Sequence, residues 1–152
     1  MPKIHSDHLR LGQRGEELAA AYLQHLGYVL VAGNFIVPVG RNRLGAVLNV
    51  EIDLIAYDGS TLCFIEVKTR SSTRFAAPSA NVDLRKQRQI TRAARTYRHI
   101  FGLAEQTFRY DVVSIVLPVA DEAPENAEIE LLRGFWTEEK FRKRRWTERY
   151  WD

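Results

Sequence analysis

The chain has 152 residues, of which 45% are hydrophobic and 27% charged, and its one cysteine is Cys63. This composition is that of a single globular domain, and it excludes an intramolecular disulfide and a thiolate zinc cluster. No apolar run resembles a signal peptide or a membrane span, so we expect a cytoplasmic protein without membrane contact.

The net charge of +3 is unevenly distributed along the chain. Residues 68–99 contain nine basic residues and one acidic residue, Asp83, whereas residues 120–130 contain five acidic residues and no basic ones. This asymmetry indicates one surface suited to a polyanion and a solvated acidic loop elsewhere.

The chain begins with a predicted helix and a strand. Apolar periodicity predicts a helix from about Asp7 to Leu26, ended by Gly27. Its predicted apolar face consists of Leu11, Leu18, Ala19, Tyr22 and Leu26. YVLVAGNFIV predicts a strand with a bend or bulge at Gly33-Asn34, and PVGRNRLG predicts a turn-rich insert.

A predicted hairpin follows, in which Asp58-Gly59 joins VLNVEIDLIAY to TLCFIEVKTR as antiparallel strands. After a loop, SSTRFAAPSAN, a second helix is predicted from about Asp83 to Phe101, ended by Gly102. FRYDVVSIVLP then predicts a strand, and IELL predicts a weaker one after the acidic loop. The order α-β-β-β-α-β indicates an α/β domain with a mixed sheet flanked by helices.

We assign residues 1–133 to this domain and residues 134–152 to a basic and aromatic tail. The tail sequence is compatible with a nucleic-acid arm, and also with a segment packed on the domain or on a second subunit.

The hairpin carries charges inside apolar strands. Strand alternation places Glu66 and Lys68 on one face, and Glu51 and Asp53 share a face of the preceding strand. Two neighbouring carboxylates repel each other unless a divalent cation lies between them, and hard cations such as Mg²⁺ or Mn²⁺ prefer oxygen ligands. A nearby lysine can orient or deprotonate an attacking water. The alternative is a set of salt bridges on an exposed sheet edge.

The first helix offers a further carboxylate. At about 100° per residue, Glu16 falls at the border of the apolar arc and Glu17 lies nearly opposite to it. Glu16 is therefore the residue able to approach the hairpin, and we expect Glu17 to be solvated.

Four segments resemble those of the bacterial YraN-type family, in the same order and across most of residues 10–117. They are GQRGEELAAAYLQHLGYVLVAGNF, EIDLIAYDGSTLCFIEVKTR, KQRQITRAARTYRHI and FRYDVVSIVL. That family is similar to archaeal Holliday-junction resolvases and to PD-(D/E)xK nucleases. The resemblance implies a restriction-endonuclease-like fold, DNA as the partner, branched DNA as a substrate, and a homodimer.

The same resemblance assigns roles to individual residues. It implies that Glu16, Asp53, Glu66 and Lys68 are catalytic, and that Asp53, Glu66 and the Val67 carbonyl bind the metal. The sequence departs from the family pattern at Val50, where a glycine is usual, and in PVGRNRLGAVLN, which is longer than usual. We therefore expect the entrance of the site to differ.

Basic residues of the second helix form a predicted nucleic-acid surface. Arg85, Arg88, Arg92, Arg95 and His99 lie opposite its apolar face and lack interleaved acids, unlike an ordinary solvated face. Lys86 falls near the apolar side, where it snorkels or reaches toward the site. Our nucleic-acid-binding set is Arg70, Arg85, Lys86, Arg88, Arg92 and Arg95.

The leading functional hypothesis is a divalent-metal-dependent DNA endonuclease. One alternative is a non-catalytic nucleic-acid-binding protein that retains the nuclease fold. The other is a structural protein whose aromatic tail forms an interface.

Overall fold

The computed structural model describes residues 2–72, 82–118 and 126–141, with side chains from residue 10 onward. The described elements, in chain order, are α1 (Pro2–His25), β1 (Val29–Arg41), β2 (Val47–Asp58), β3 (Thr61–Ser71), α2 (Leu84–Ile100), β4 (Phe108–Leu117), β5 (Glu128–Trp136) and a final 3₁₀ turn (Glu138–Phe141). In this described part, no helix is long and apolar enough to cross a membrane.

The five strands form one mixed sheet in the order β1-β2-β3-β4-β5. β3 and β4 are parallel and are connected through α2, whereas the other neighbouring pairs are antiparallel. Alternate β3 residues enter two cores: Leu62 and Phe64 pack in the core that includes α2, and Cys63 and Ile65 pack in the core that includes α1. A helix therefore covers each face, which confirms the predicted α/β class and is consistent with a restriction-endonuclease-like fold.

Element boundaries differ from the predicted ones in three places. β1 continues through Pro38 to Arg41, so PVGRNRLG forms the end of a long β1–β2 hairpin instead of an insert. Proline has no backbone N–H to donate, and it is tolerated there because the outer side of an edge strand has no neighbouring strand to bond. On α1, Leu23 is fully buried while Leu26 is 44% exposed, because the helix ends at His25 and Gly27 has a positive φ.

The third difference lies at the C-terminus. β5 extends to Trp136, which stacks on Tyr110 in the α2-side core, and Phe141 packs against the same core. The structural unit thus continues past residue 133. Most of the acidic loop, residues 73–81 and the tail from residue 142 lie outside the described residues.

The separation of β2 from β3 makes room for the charged hairpin residues. Within the described sheet, β2 pairs with β3 only from Leu54 to Asp58, and residues 47–52 pair with β1 alone. Asp53 is therefore the first β2 residue beyond the paired region. On the same stretch of β3, Thr69 lies against Gly15 of α1, and this contact sets the distance between the helix and the sheet.

We predict that Gly15→Ala destabilises the protein by about 2 kcal/mol or more. A Cβ on Gly15 would lie 1.8 Å from Thr69 Oγ1, so α1 would have to move away from β3. Gly12→Ala is the matched control, because its Cβ meets nothing within 4 Å and alanine favours a helix by up to about 1 kcal/mol. Urea unfolding measures both free energies, and equal stability of the two variants would contradict the close approach.

Candidate metal centre

Asp53 accepts a hydrogen bond from a backbone N–H of β3 that has no partner on β2. Val67 N–H donates to Asp53 Oδ2 over 2.8 Å, at a point of β3 that has no β2 partner in the described register. This bond fixes the half-buried carboxylate against β3. Burial nevertheless raises the pKa of Asp53, with the Val67 N–H acting in the opposite direction.

Glu66 adjoins Asp53 on the face of β3 covered by α2. Its side chain is 5% exposed, and Lys86 Nζ of α2 lies 3.9 Å from Glu66 Oε1. Its second oxygen, Oε2, is buried and has no hydrogen-bond partner among the described residues. Burial, and next the Asp53 carboxylate, raise the pKa of Glu66 to about 8. The pair therefore holds a proton at neutral pH, and a divalent cation would replace it.

Two further carboxylates meet on the α1 side through an asparagine of β1. Asn34 Nδ2 donates to Glu16 Oε2 over 2.7 Å and to Glu51 Oε1 over 2.6 Å. Asn34 adopts a φ of 50°, a left-handed conformation that asparagine tolerates better than most residues. Burial raises the pKa of Glu16, and the nearby Asp53 and Glu51 charges add to this effect.

The resulting donor set consists of carboxylate oxygen atoms from three elements of the fold, α1, β2 and β3. One carboxylate oxygen from each of Glu16, Glu51 and Asp53 lies within 4.8 Å of the others, and Asp53 also adjoins Glu66. Carboxylates at such distances repel one another, and oxygen ligands suit hard divalent cations such as Mg²⁺ and Mn²⁺. The residues present therefore fit a divalent metal ion.

Comparison with known proteins finds relatives of this chain over the part that contains the carboxylates. The model of the uncharacterised protein family UPF0102 matches residues 15–115, which include all four carboxylates. The chain belongs to the UPF0102 family. This finding confirms the resemblance to YraN-type proteins.

Three UPF0102 relatives illustrate the extent of the similarity. A UPF0102 protein of Chlorobium chlorochromatii is 42% identical over 85% of this chain and 93% of its own length. A Geobacter sulfurreducens relative is 41% identical over 75% of this chain and 80% of its own length. A Moorella thermoacetica relative is 38% identical over 82% and 93%, respectively. Their names give the family and specify no reaction, so a function for this UPF0102 chain depends on its site.

The structure of this UPF0102 chain brings the predicted catalytic residues together. Glu16 lies beside the charged residues of the hairpin, and Glu17 is exposed. Lys68 is half-buried, and its charge and that of Lys86 partly offset the rise in the pKa of Glu66. The Val67 carbonyl remains a predicted ligand, since the described contact uses its N–H.

Sequence reasoning omitted two residues of the centre from the predicted site. Glu51 carried a signal, because it precedes Asp53 by two residues on the same strand. For Asn34 the sequence predicted only a bend in the strand. Its hydrogen bonds to Glu16 and Glu51 depend on how α1, β1 and β2 come together.

The predicted nucleic-acid residues fall into different environments. Arg85, Arg88 and Arg92 are exposed on α2, and Lys86 lies beside the Glu66 carboxylate. Besides Lys86, which adjoins Glu66, two members have acidic neighbours and therefore fit a basic surface less well. Arg95 pairs with the buried Glu138 over 3.4 Å. Arg70 lines a cavity of about 240 Å³ together with Ser114, Val116, Glu128, Ile129 and Glu130.

Proposed function

We propose that the protein is a divalent-metal-dependent DNA endonuclease that hydrolyses phosphodiester bonds. The observation that carries this proposal is the buried Glu66 carboxyl, which has an unpartnered oxygen and adjoins Asp53 beside further carboxylates. The charged form of a buried carboxyl beside further carboxylates is unfavourable without a cation, and strongly perturbed carboxyl groups are typical of functional sites.

The chain offers two adjacent groups of metal ligands that share Asp53. Asp53, Glu66 and the Val67 carbonyl would hold one Mg²⁺ or Mn²⁺ ion, and Glu16 and Glu51 extend the ligand set on the α1 side. A bound divalent cation supplies Lewis-acid activation of water and neutralises charge that develops on the phosphate.

The remaining residues of the centre position these groups. The Val67 N–H orients Asp53, and Asn34 holds Glu16 and Glu51 within reach of it. Lys68 shares the face of Glu66, from which its ammonium group orients the attacking water and offsets the charge of the phosphate. Lys86 balances the charge of Glu66 from α2.

A basic surface that begins at the metal centre supports DNA as the substrate. Lys86 lies beside Glu66, and Arg85, Arg88 and Arg92 continue along the exposed side of the same helix. Arginines at helical spacing are suited to contact successive phosphates of a nucleic-acid strand. Branched DNA and a homodimer follow from the resemblance to resolvases, and both remain parts of this proposal.

The proposal is tested by incubating the purified protein with Mg²⁺ or Mn²⁺ and linear, nicked, flapped or four-way DNA. We expect cleavage that Asp53→Asn lowers by more than about 100-fold, because removing even an outer partner of a metal ligand costs 10- to 100-fold. Glu16→Gln should also lower the rate, whereas the matched variant Glu17→Gln should not.

Two results would contradict the endonuclease. One is the absence of any metal-dependent product with all four substrates. The other is equal cleavage by the wild-type protein and Asp53→Asn, which would indicate a contaminating nuclease. Salt-sensitive DNA binding that survives Glu66→Ala, without product, would instead favour the non-catalytic nucleic-acid-binding protein.

A further inference from the structure

The β1–β2 hairpin ends in a loop, residues 42–46, that its own hydrogen bonds hold in one conformation. Asn42 Oδ1 accepts from the N–H groups of Leu44 and Ala46 over 2.9 and 3.0 Å. Asn42 N donates to Ala46 O, Gly45 N donates to Asn42 O, and Arg41 Nη1 donates to Gly45 O. Gly45 provides the positive φ that this turn requires. The loop therefore presents its remaining side chains from a fixed backbone.

Leu44 is the side chain that this fixed loop presents most openly. It is 93% exposed, more than any other large hydrophobic residue in the described part of the chain. A single exposed leucine is ordinary on a protein surface, so its exposure acquires meaning only from its surroundings.

The surroundings of Leu44 are basic. Residues 29–50 contain no acidic residue, and Arg41 and Arg43 flank the tip. Arg92 of α2 also lies against the hairpin, because a Cβ on Gly40 would come within 2.9 Å of Arg92 Nη2. The hairpin and the exposed arginines of α2 thus form a basic surface, and Leu44 is the most exposed apolar side chain at its end. A basic surface with an exposed apolar side chain is complementary to DNA, a polyanion whose stacked bases are apolar.

The tip also has a defined separation from the metal centre. Val47, at the start of β2, lies six residues before Asp53, which corresponds to roughly 20 Å along an extended strand. Six base-pair steps of a DNA duplex span about the same length.

We propose that Leu44 is a wedge that inserts between two stacked bases of the DNA bound at the metal centre. This inference rests on the proposed function and deepens it by naming the substrate feature that is selected. Apolar wedges beside basic residues unstack base steps, and the cost is lowest where the step is already weakened. The preferred substrate is therefore a duplex with a mismatch, nick or branch about six base pairs from the cleaved bond.

The test measures base unstacking without cleavage. Asp53→Asn protein is mixed with duplexes that carry 2-aminopurine beside a mismatch, and the fluorescence of 2-aminopurine reports loss of stacking. We expect the signal to rise on binding, and Leu44→Ser to remove the rise and weaken binding about tenfold, because the inserted apolar contact is lost. Val29→Ser, at the 65% exposed start of β1, is the control and should change neither value.

The failure of this inference is distinguishable from failure of the endonuclease proposal. An unchanged 2-aminopurine signal and affinity in Leu44→Ser would overturn the wedge even if the wild-type protein cleaves DNA. An unchanged signal together with dissociation of an oligomer in sedimentation experiments would identify Leu44 as a contact between copies, and would also overturn it. A signal that depends on Leu44 supports the wedge even if no product forms.

Discussion

Glu66→Gln is expected to abolish metal-dependent cleavage while making the metal-free protein more stable at pH 8. Glutamine keeps the shape of the buried side chain, but it cannot supply the charge that a divalent cation needs. It also removes the unfavourable placement of a carboxylate beside Asp53 in a buried position. Opposite effects on activity and stability distinguish a functional carboxylate from one that holds the fold together.

The sign of the stability effect follows from the pKa of Glu66, which burial and Asp53 raise from 4.5 to about 8. Between these values the folded protein keeps a proton that the unfolded chain releases, so stability falls as pH rises from about 4.5 to 8. Glutamine stays neutral and avoids this loss. In EDTA at pH 8 we expect Glu66→Gln to melt at least about 3 °C above the wild-type protein, the shift for about 1 kcal/mol.

Thermal unfolding at pH 5 and pH 8 provides the measurement and its internal control. The difference between Glu66→Gln and the wild-type protein should shrink at pH 5, where both side chains are neutral. Glu17→Gln should show no such dependence, since Glu17 is exposed. Added Mg²⁺ should raise the melting temperature of the wild-type protein but not that of Glu66→Gln. A Glu66→Gln variant that is less stable at pH 8 would show that the carboxylate stabilises the fold.

The sequence predicted the parts of this protein that local patterns determine. The Asp58-Gly59 turn aligns β2 with β3, and strand alternation places Glu66 and Lys68 on one face. Helical periodicity then selects Glu16 over Glu17, and Gly102 ends α2 as expected. These relationships depend on residues close together in the chain, for which the periods of helix and strand suffice.

The features that the sequence did not predict depend on contacts between distant segments. Asn34 joins Glu16 to Glu51 only because α1 crosses β1 and β2 at that point. Arg95 belongs to the predicted basic stripe, but Glu138, forty-three residues further on, returns to pair with it. The length of the β1–β2 hairpin likewise depends on β1 being an edge strand, which no local pattern around Pro38 reveals.

A second group of charged residues joins the turn of the β2–β3 hairpin to β4 and β5. At the Asp58 end, Arg109 joins the hairpin turn to β4 by donating to Asp58 over 2.8 Å and to Asp111 over 2.7 and 2.9 Å. Asp111 is completely buried and also accepts from Gly134 N–H and from the Tyr28 hydroxyl. This network connects Tyr28, just before β1, and Gly134 of β5 to Asp111 of β4.

Asp111→Ala is therefore expected to lower the free energy of unfolding by about 3–5 kcal/mol, the usual cost of removing one partner from a buried ion pair. Asp58→Ala, whose side chain is 35% exposed, should cost about 1 kcal/mol or less. Urea unfolding measures both, and a loss below about 1 kcal/mol in Asp111→Ala would show that the network contributes little.

Cleavage per folded molecule should be unchanged in Asp111→Ala. Asp111 pairs with Ile65, the residue next to Glu66, but its carboxylate accepts from Tyr28 on the α1 side of the sheet, whereas Glu66 faces Lys86 of α2. No described hydrogen bond or ion pair joins this network to the carboxylates around Asp53. Rates compared at a temperature where both proteins are folded provide the measurement. If the rate falls as much as is expected for Glu66→Gln, the buried network positions the Glu66 carboxylate through the pairing of β3 with β4.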